Sequence, residues 1–117
     1  MREIEEFAAR LREFGAERDW ERFHTPKNLA MALAGEAGEL VAEFQWLTPE
    51  QSERLAEDPA AFARVRAEIG DVFAYLTRLA DRLGIDLLEA ANAKFDEVER
   101  RYDAASYRGT ARKAPPL

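Results

Sequence analysis

Helical periodicity, repeated helix-start signals and the lack of any strand pattern predict an all-α, four-helix bundle-like fold. Apolar residues recur at three- and four-residue spacing along four long stretches. Thr25-Pro26, Thr48-Pro49 and Asp58-Pro59 each put a capping side chain before a proline, the usual opening of a helix. No segment alternates apolar and polar residues as a half-buried strand would.

The first helix is predicted over residues 2–18, where Ile4, Phe7, Ala8, Leu11 and Phe14 share one face. Trp20 to His24 form a short aromatic connector. The second helix runs from Pro26 to about Trp46, with Leu29, Leu33, Leu40, Val41 and Phe44 inward. Thr48 and Gln51 have capping-box spacing, so a short helix follows, to about Ala56. The third long helix starts at Asp58-Pro59 and ends at Gly84, with Val65, Ile69, Val72, Leu76, Leu79 and Leu83 as its core face. Asp86 caps a fourth helix over 87–102, which turns Leu87, Leu88, Ala91, Phe95 and Val98 inward. These elements define a domain over residues 1–104. Residues 105–117 form a basic, proline-ended tail, loosely structured on its own.

At 117 residues the chain is long enough for one domain with a single core. No apolar run approaches the ~20 residues needed to span a membrane. MREIEEFAARL is amphipathic and acidic, unlike a targeting peptide, and cysteine is absent, so a cytoplasmic protein is expected. A net charge of −6 argues against binding nucleic-acid polymers, whose phosphates need Lys and Arg. A small anionic substrate stays open, because bound cations reverse the local field.

Carboxylates are the unusual feature. GEAGELVAEF places Glu36, Glu39 and Glu43 at i, i+3 and i+7, and EIGDVFAYL places Glu68 and Asp71 at i, i+3. At ~100° per residue, Glu36 and Glu43 border the apolar stripe of the second helix. Glu68 falls inside the stripe of the third, with Asp71 at its edge. A carboxylate in such a place needs a cation, a hydrogen-bond partner or a proton. One ExxE is usually a solvated helix face. Two acid pairs facing each other across packed helices would satisfy a hard divalent ion, Mg²⁺ first and Mn²⁺ as the alternative. A carboxylate-bridged di-iron site would require two Glu-x-x-His motifs, and the only histidine is His24.

ExxE on one helix and ExxD on the next resembles the all-α nucleoside triphosphate pyrophosphatases, the MazG-like superfamily. The block ERDWERFHTPKNLAMALAGEAGELVAEFQW and the RGTARK tail are most similar to its dCTP pyrophosphatase branch. The resemblance runs from about Phe14 to Lys113. It implies hydrolysis of a (deoxy)nucleoside triphosphate to the monophosphate and pyrophosphate, as in nucleotide-pool sanitation, with dCTP or related deoxynucleotides preferred. It makes Glu36, Glu39, Glu68 and Asp71 the Mg²⁺ ligands, with Glu39 the candidate general base. It puts Trp20 and Trp46 beside the base and Tyr75 against base or sugar. His24 becomes a ligand contact, against the simpler reading of a loop hydrogen bond, and Asn28 reads a base edge or orients an acid. Lys94 would lie near metal and phosphates. Arg101, Tyr102, Arg108 and Lys113 would meet the triphosphate or a neighbouring subunit.

Two departures from that branch stand out. Leu11 replaces a histidine and Val98 an asparagine, so two polar groups that could read cytosine are missing. The same fold acting on dUTP, another NTP or phosphoribosyl-ATP remains an alternative, as does a non-catalytic helical oligomerisation module. Phe7, Phe62 and Phe73 exceed what four helices can cover, and with the family's habit they point to a homodimer or homotetramer.

Overall fold

A computed structural model describes residues 2–116; Met1 and Leu117, the outer ends of the two predicted segments, lie outside the described residues. The described chain is helical, with no strand: α1 (Arg2–Glu17), α2 (Pro26–Phe44), α3 (Pro49–Glu53), a 3₁₀ turn (Leu55–Glu57), α4 (Pro59–Leu83), α5 (Leu87–Arg101) and α6 (Ala104–Tyr107). They fall into two compact units, one ending at Gly84 and one starting at Ile85.

The caps explain where the helices of the first unit begin and end. Asp19 adopts φ 55°. The Asp19 N–H donates to the Ala16 carbonyl at 3.2 Å and the Trp20 N–H to the Gly15 carbonyl at 3.0 Å. That pair of bonds is a Schellman stop with aspartate in the left-handed position, and it turns the chain into the aromatic connector. Thr25 Oγ1 accepts from the Asn28 N–H at 3.2 Å and opens α2. The predicted capping box is present: the Gln51 N–H donates to Thr48 Oγ1 at 3.1 Å and the Thr48 N–H to Gln51 Oε1 at 2.9 Å. Asp58 caps α4, and Gly84, at φ 68°, ends it.

α2 and α4 run antiparallel. Glu43, near the end of α2, accepts from Arg64, near the start of α4, at 3.0 Å, while Glu36 of mid-α2 meets Glu68 farther along α4. Leu29 and Val65 are buried in this unit. α1 packs on α4, with the Phe7 and Phe73 rings stacked 5.7 Å apart. Arg12 forks onto Asp81 with bonds of 3.0 and 2.9 Å, and Arg78 Nη1 reaches the same carboxylate at 3.0 Å. Ile69 and Leu83, expected in the core, are about half exposed, as are Phe14 and Phe62. The helical wheel defines which side is apolar; it does not supply a neighbour to cover it.

In the second unit Asp86 caps α5 and Asp103 caps α6. The tail is more ordered than its composition suggests. Arg101 donates to the carbonyls of Ala114 at 2.9 Å and Pro115 at 3.1 Å. The Ala114 N–H donates to the Tyr102 hydroxyl at 2.9 Å, and Ala114 is buried.

Asp81 is the joint between α1 and α4. The neighbouring Arg12 and Arg78 hold its carboxyl below its ordinary pKa, Arg12 contributing most. A depressed folded pKa gives stability that is full above the ordinary value and lost as pH falls through the folded one. Asp81→Ala strips a buried guanidinium of its partner and should cost roughly 3 kcal/mol in urea unfolding at neutral pH. The deficit relative to the parent should shrink below about pH 4, where the parent loses the same interaction.

Candidate active site

Three of the four acids in the two pairs converge between α2 and α4. One carboxylate oxygen from each of Glu36, Glu39 and Glu68 lies within 4.8 Å of the others. Glu36 and Glu68 are half-buried, and Glu39 is exposed. Asp71, one turn beyond Glu68, is close enough for its charge to act on both Glu36 and Glu68. Glu43 takes the ordinary role of a helix-surface acid, paired with Arg64.

The electrostatics carry the mark of crowding. Burial, then proton sharing with Glu39 and Glu68, raises Glu36 from 4.5 to about 7. Burial also raises Glu68, and the charges of Glu39 and Asp71 add to it. Glu36 Oε2 and Glu68 Oε2 are buried with no donor. A protonated Glu36 can donate to a neighbouring carboxylate; two ionised groups have nothing to share. Two buried, donor-less oxygens with a third carboxylate beside them are a donor set that a hard divalent cation takes, so these residues fit such an ion.

Beside the cluster is a cavity of about 210 Å³, lined by Leu11, Phe14, Trp20, His24, Asp71, Ala74, Tyr75 and Arg78. Asp71 lines this cavity and acts on the cluster through its charge. The connector builds one wall: Trp20 packs edge-on against Phe14 at 5.6 Å and against His24 at 6.0 Å. Burial, followed by the charges of Arg78 and Arg82, pushes His24 below 6.5, so its ring is neutral at pH 7.

Sequence-predicted residues divide into those the first unit brings together and those it does not. Trp20, His24, Asp71 and Tyr75 meet in the cavity, and Glu36, Glu39 and Glu68 meet in the cluster. Asn28 instead braces the connector, its Nδ2 donating to the Phe23 carbonyl at 3.0 Å. Trp46 is 87% exposed and lies outside the cavity lining. Lys94, Arg101, Tyr102, Arg108 and Lys113 all belong to the second unit. There Lys94 pairs with Glu97 at 2.9 Å, Arg101 and Tyr102 hold the tail, and Arg108 and Lys113 are exposed. Arg78 is the cavity residue that sequence reading missed. Asp71, Tyr75 and Arg78 stand at i, i+4 and i+7, one helical face, and that spacing was the available signal.

The architecture is that of a solved protein. A pyrophosphatase from Archaeoglobus fulgidus superposes with a TM-score of 0.77 at 39% identity, over 86% of this chain and 93% of that one. The chain belongs to the all-α nucleoside triphosphate pyrophosphatases, the MazG-like family its sequence resembles. Within that class it is similar to dCTP pyrophosphatase 1 from Bos taurus and from Homo sapiens, each 45% identical over 105 residues. The match takes in 90% of this chain and 62% of each relative, so the chain spans about three-fifths of their length. No protein-family model matches it.

The raised pKa of Glu36 has a measurable sign. Between 4.5 and about 7 the folded chain holds a proton that the unfolded chain releases, so metal-free stability falls as pH rises across that window. Melting in EDTA should show the decline. Glu68→Gln removes a competing charge and should raise the metal-free midpoint at about pH 7.5. Mg²⁺ should stabilise the parent at that pH and leave Glu68→Gln nearly unmoved.

Proposed function

We propose that this chain hydrolyses a (deoxy)nucleoside triphosphate, dCTP or a close relative, to the monophosphate and pyrophosphate. The observation that carries this reading is the adjacency of two features through Asp71: a three-carboxylate cluster with unsatisfied oxygens and a cavity walled by Trp20 and Tyr75. The similarity to dCTP pyrophosphatase 1 supports the choice of nucleotide.

Glu36, Glu68, Asp71 and Glu39 would hold Mg²⁺, with Mn²⁺ as the alternative. The ion, when bound, supplies charge compensation for phosphate oxygens and acidifies water. The chain's own residues do the rest. Glu39 is the exposed member of the cluster, so it can hold a water and accept its proton. Trp20 offers a stacking face, and Tyr75, one turn past Asp71, packs toward the sugar side and disfavours a 2′-hydroxyl. His24, held neutral, can take either tautomer toward a ligand. Lys94, Arg108 and Lys113, all in the second unit, are the cations that the resemblance assigns to phosphate, and Arg101 and Tyr102 fix the 105–117 tail that carries Arg108 and Lys113. Asn28 contributes by holding the connector, and Trp46 by stacking from its exposed position.

Met31, Val41, Trp46 and Ile69 expose more than half of their surface in the first unit. These apolar side chains support assembly as a homodimer or homotetramer. No described helix is long and apolar enough to cross a membrane, and the absence of cysteine supports a cytoplasmic setting.

With Mg²⁺, dCTP should yield dCMP and pyrophosphate, and EDTA should abolish the reaction. Product analysis across the four dNTPs, dUTP and CTP checks this. No turnover of any of them with Mg²⁺ or Mn²⁺ would leave a non-catalytic helical module as the better description. Glu39→Gln should lower kcat by about 100-fold or more while the fold persists. Trp20→Ala should mainly raise KM, by about tenfold, as expected for the loss of one base-stacking face.

A further inference from the structure

Arg78 is a charged side chain in the wall of the nucleotide cavity, and it is only 5% exposed. Burying a guanidinium is expensive unless its donors are satisfied. On one side they are: Nη1 donates to Asp81 Oδ2 at 3.0 Å, and Arg12 forks onto the same carboxylate and fixes it. On the other side they are not. Nε is buried with no acceptor, and Nη2 is 4.0 Å from Glu21 Oε1, too far for a hydrogen bond. The Nε–Nη2 edge, two parallel donors, is left over.

The cavity around it is short of other fixed donors. Leu11, Phe14 and Ala74 are apolar, and the Asp71 carboxylate accepts. The Trp20 indole, the Tyr75 hydroxyl and the neutral His24 ring each offer a single donor. Only Arg78 presents neighbouring donors, and a guanidinium never accepts. Its complement is a planar edge with two adjacent acceptors. Cytosine has one, the O2 carbonyl beside the unprotonated N3. Uracil differs at that spot, because its N3 carries a hydrogen and would meet another donor.

We propose that Arg78 is a specificity-determining residue: held by Asp81, it reads the O2/N3 edge of a cytosine base in the Trp20–Tyr75 cavity and rejects uracil. This rests on the triphosphate pyrophosphatase reading above. Arg78 supplies the polar readout that Leu11 does not.

The test is the ratio of kcat/KM for dCTP to that for dUTP, with Mg²⁺, in the parent and in Arg78→Lys. Lysine keeps the charge beside Asp81 and loses the planar fork. The parent should favour dCTP by about tenfold or more, and Arg78→Lys should lose most of that preference through a raised KM for dCTP. The melting temperature checks that the variant is folded. An unchanged ratio in folded Arg78→Lys, or an equal loss for both nucleotides, would overturn the assignment and leave Arg78 as a purely structural ion pair. Should Arg78→Lys fail to fold, the parent still decides: turnover of both nucleotides at similar efficiency sinks the inference while sparing the pyrophosphatase reading. Turnover of neither sinks both.

Discussion

Three carboxylates kept within 4.8 Å of one another set the conditions for the rest of the first unit. Like charges at that separation repel, and partial burial weakens the screening that water would give. The α2–α4 pairing has to hold them there regardless. It does so with forces located away from the cluster: buried Leu29 and Val65, and the Glu43–Arg64 pair. The remaining strain is visible in Glu36, which keeps a proton near neutrality.

One helix face organises the whole site. Glu68, Asp71, Tyr75, Arg78 and Asp81 follow one another on α4 at spacings of three or four residues. The face passes from acids to an aromatic, then to a buried cation and its counter-ion. An uninterrupted α4 from the Asp58 cap to Gly84 keeps these groups in register. The aromatic connector leans on that face from the other side, and the Asp19 stop together with the Asn28 brace sets its path. Position and chemistry are therefore joined: turning α4 by one residue would scatter both the cluster and the cavity.

Much of this was legible in the sequence because it is local. Caps, prolines and a glycine stop act within a few residues, so the starts of α2, α3, α4 and α5 and the end of α4 followed from spelling, whereas α6 did not. Glu68 inside an apolar stripe also announced itself by the wheel. The convergence of Trp20 with Tyr75 is not local, and it came from resemblance. Arg78 escaped notice because an arginine in a helix reads as solvated until its burial is known. Asn28 is expected from sequence to read a base edge or orient an acid, whereas its Nδ2 donates to the Phe23 carbonyl, a main-chain partner that spelling does not reveal. Tail order was hidden for a related reason. Arg101 and Tyr102 act on backbone atoms of Ala114 and Pro115, and a main-chain partner leaves no trace in the spelling.

The Arg12–Asp81 fork joins residues 69 positions apart, whereas the bonds that fasten the tail close over 12 to 14. In kinetic terms these are different events. Closing a loop costs more entropy as it lengthens, and folding slows as contacts become less local. The segment after Gly84 can acquire its hydrogen bonds as soon as it is synthesised. α1 is made first, yet it has to wait until the end of α4 has been made before its arginine meets a partner. During that interval the apolar face of α1 is exposed, and its acidic first turn, with Glu3 and Glu5, helps keep the waiting helix in solution.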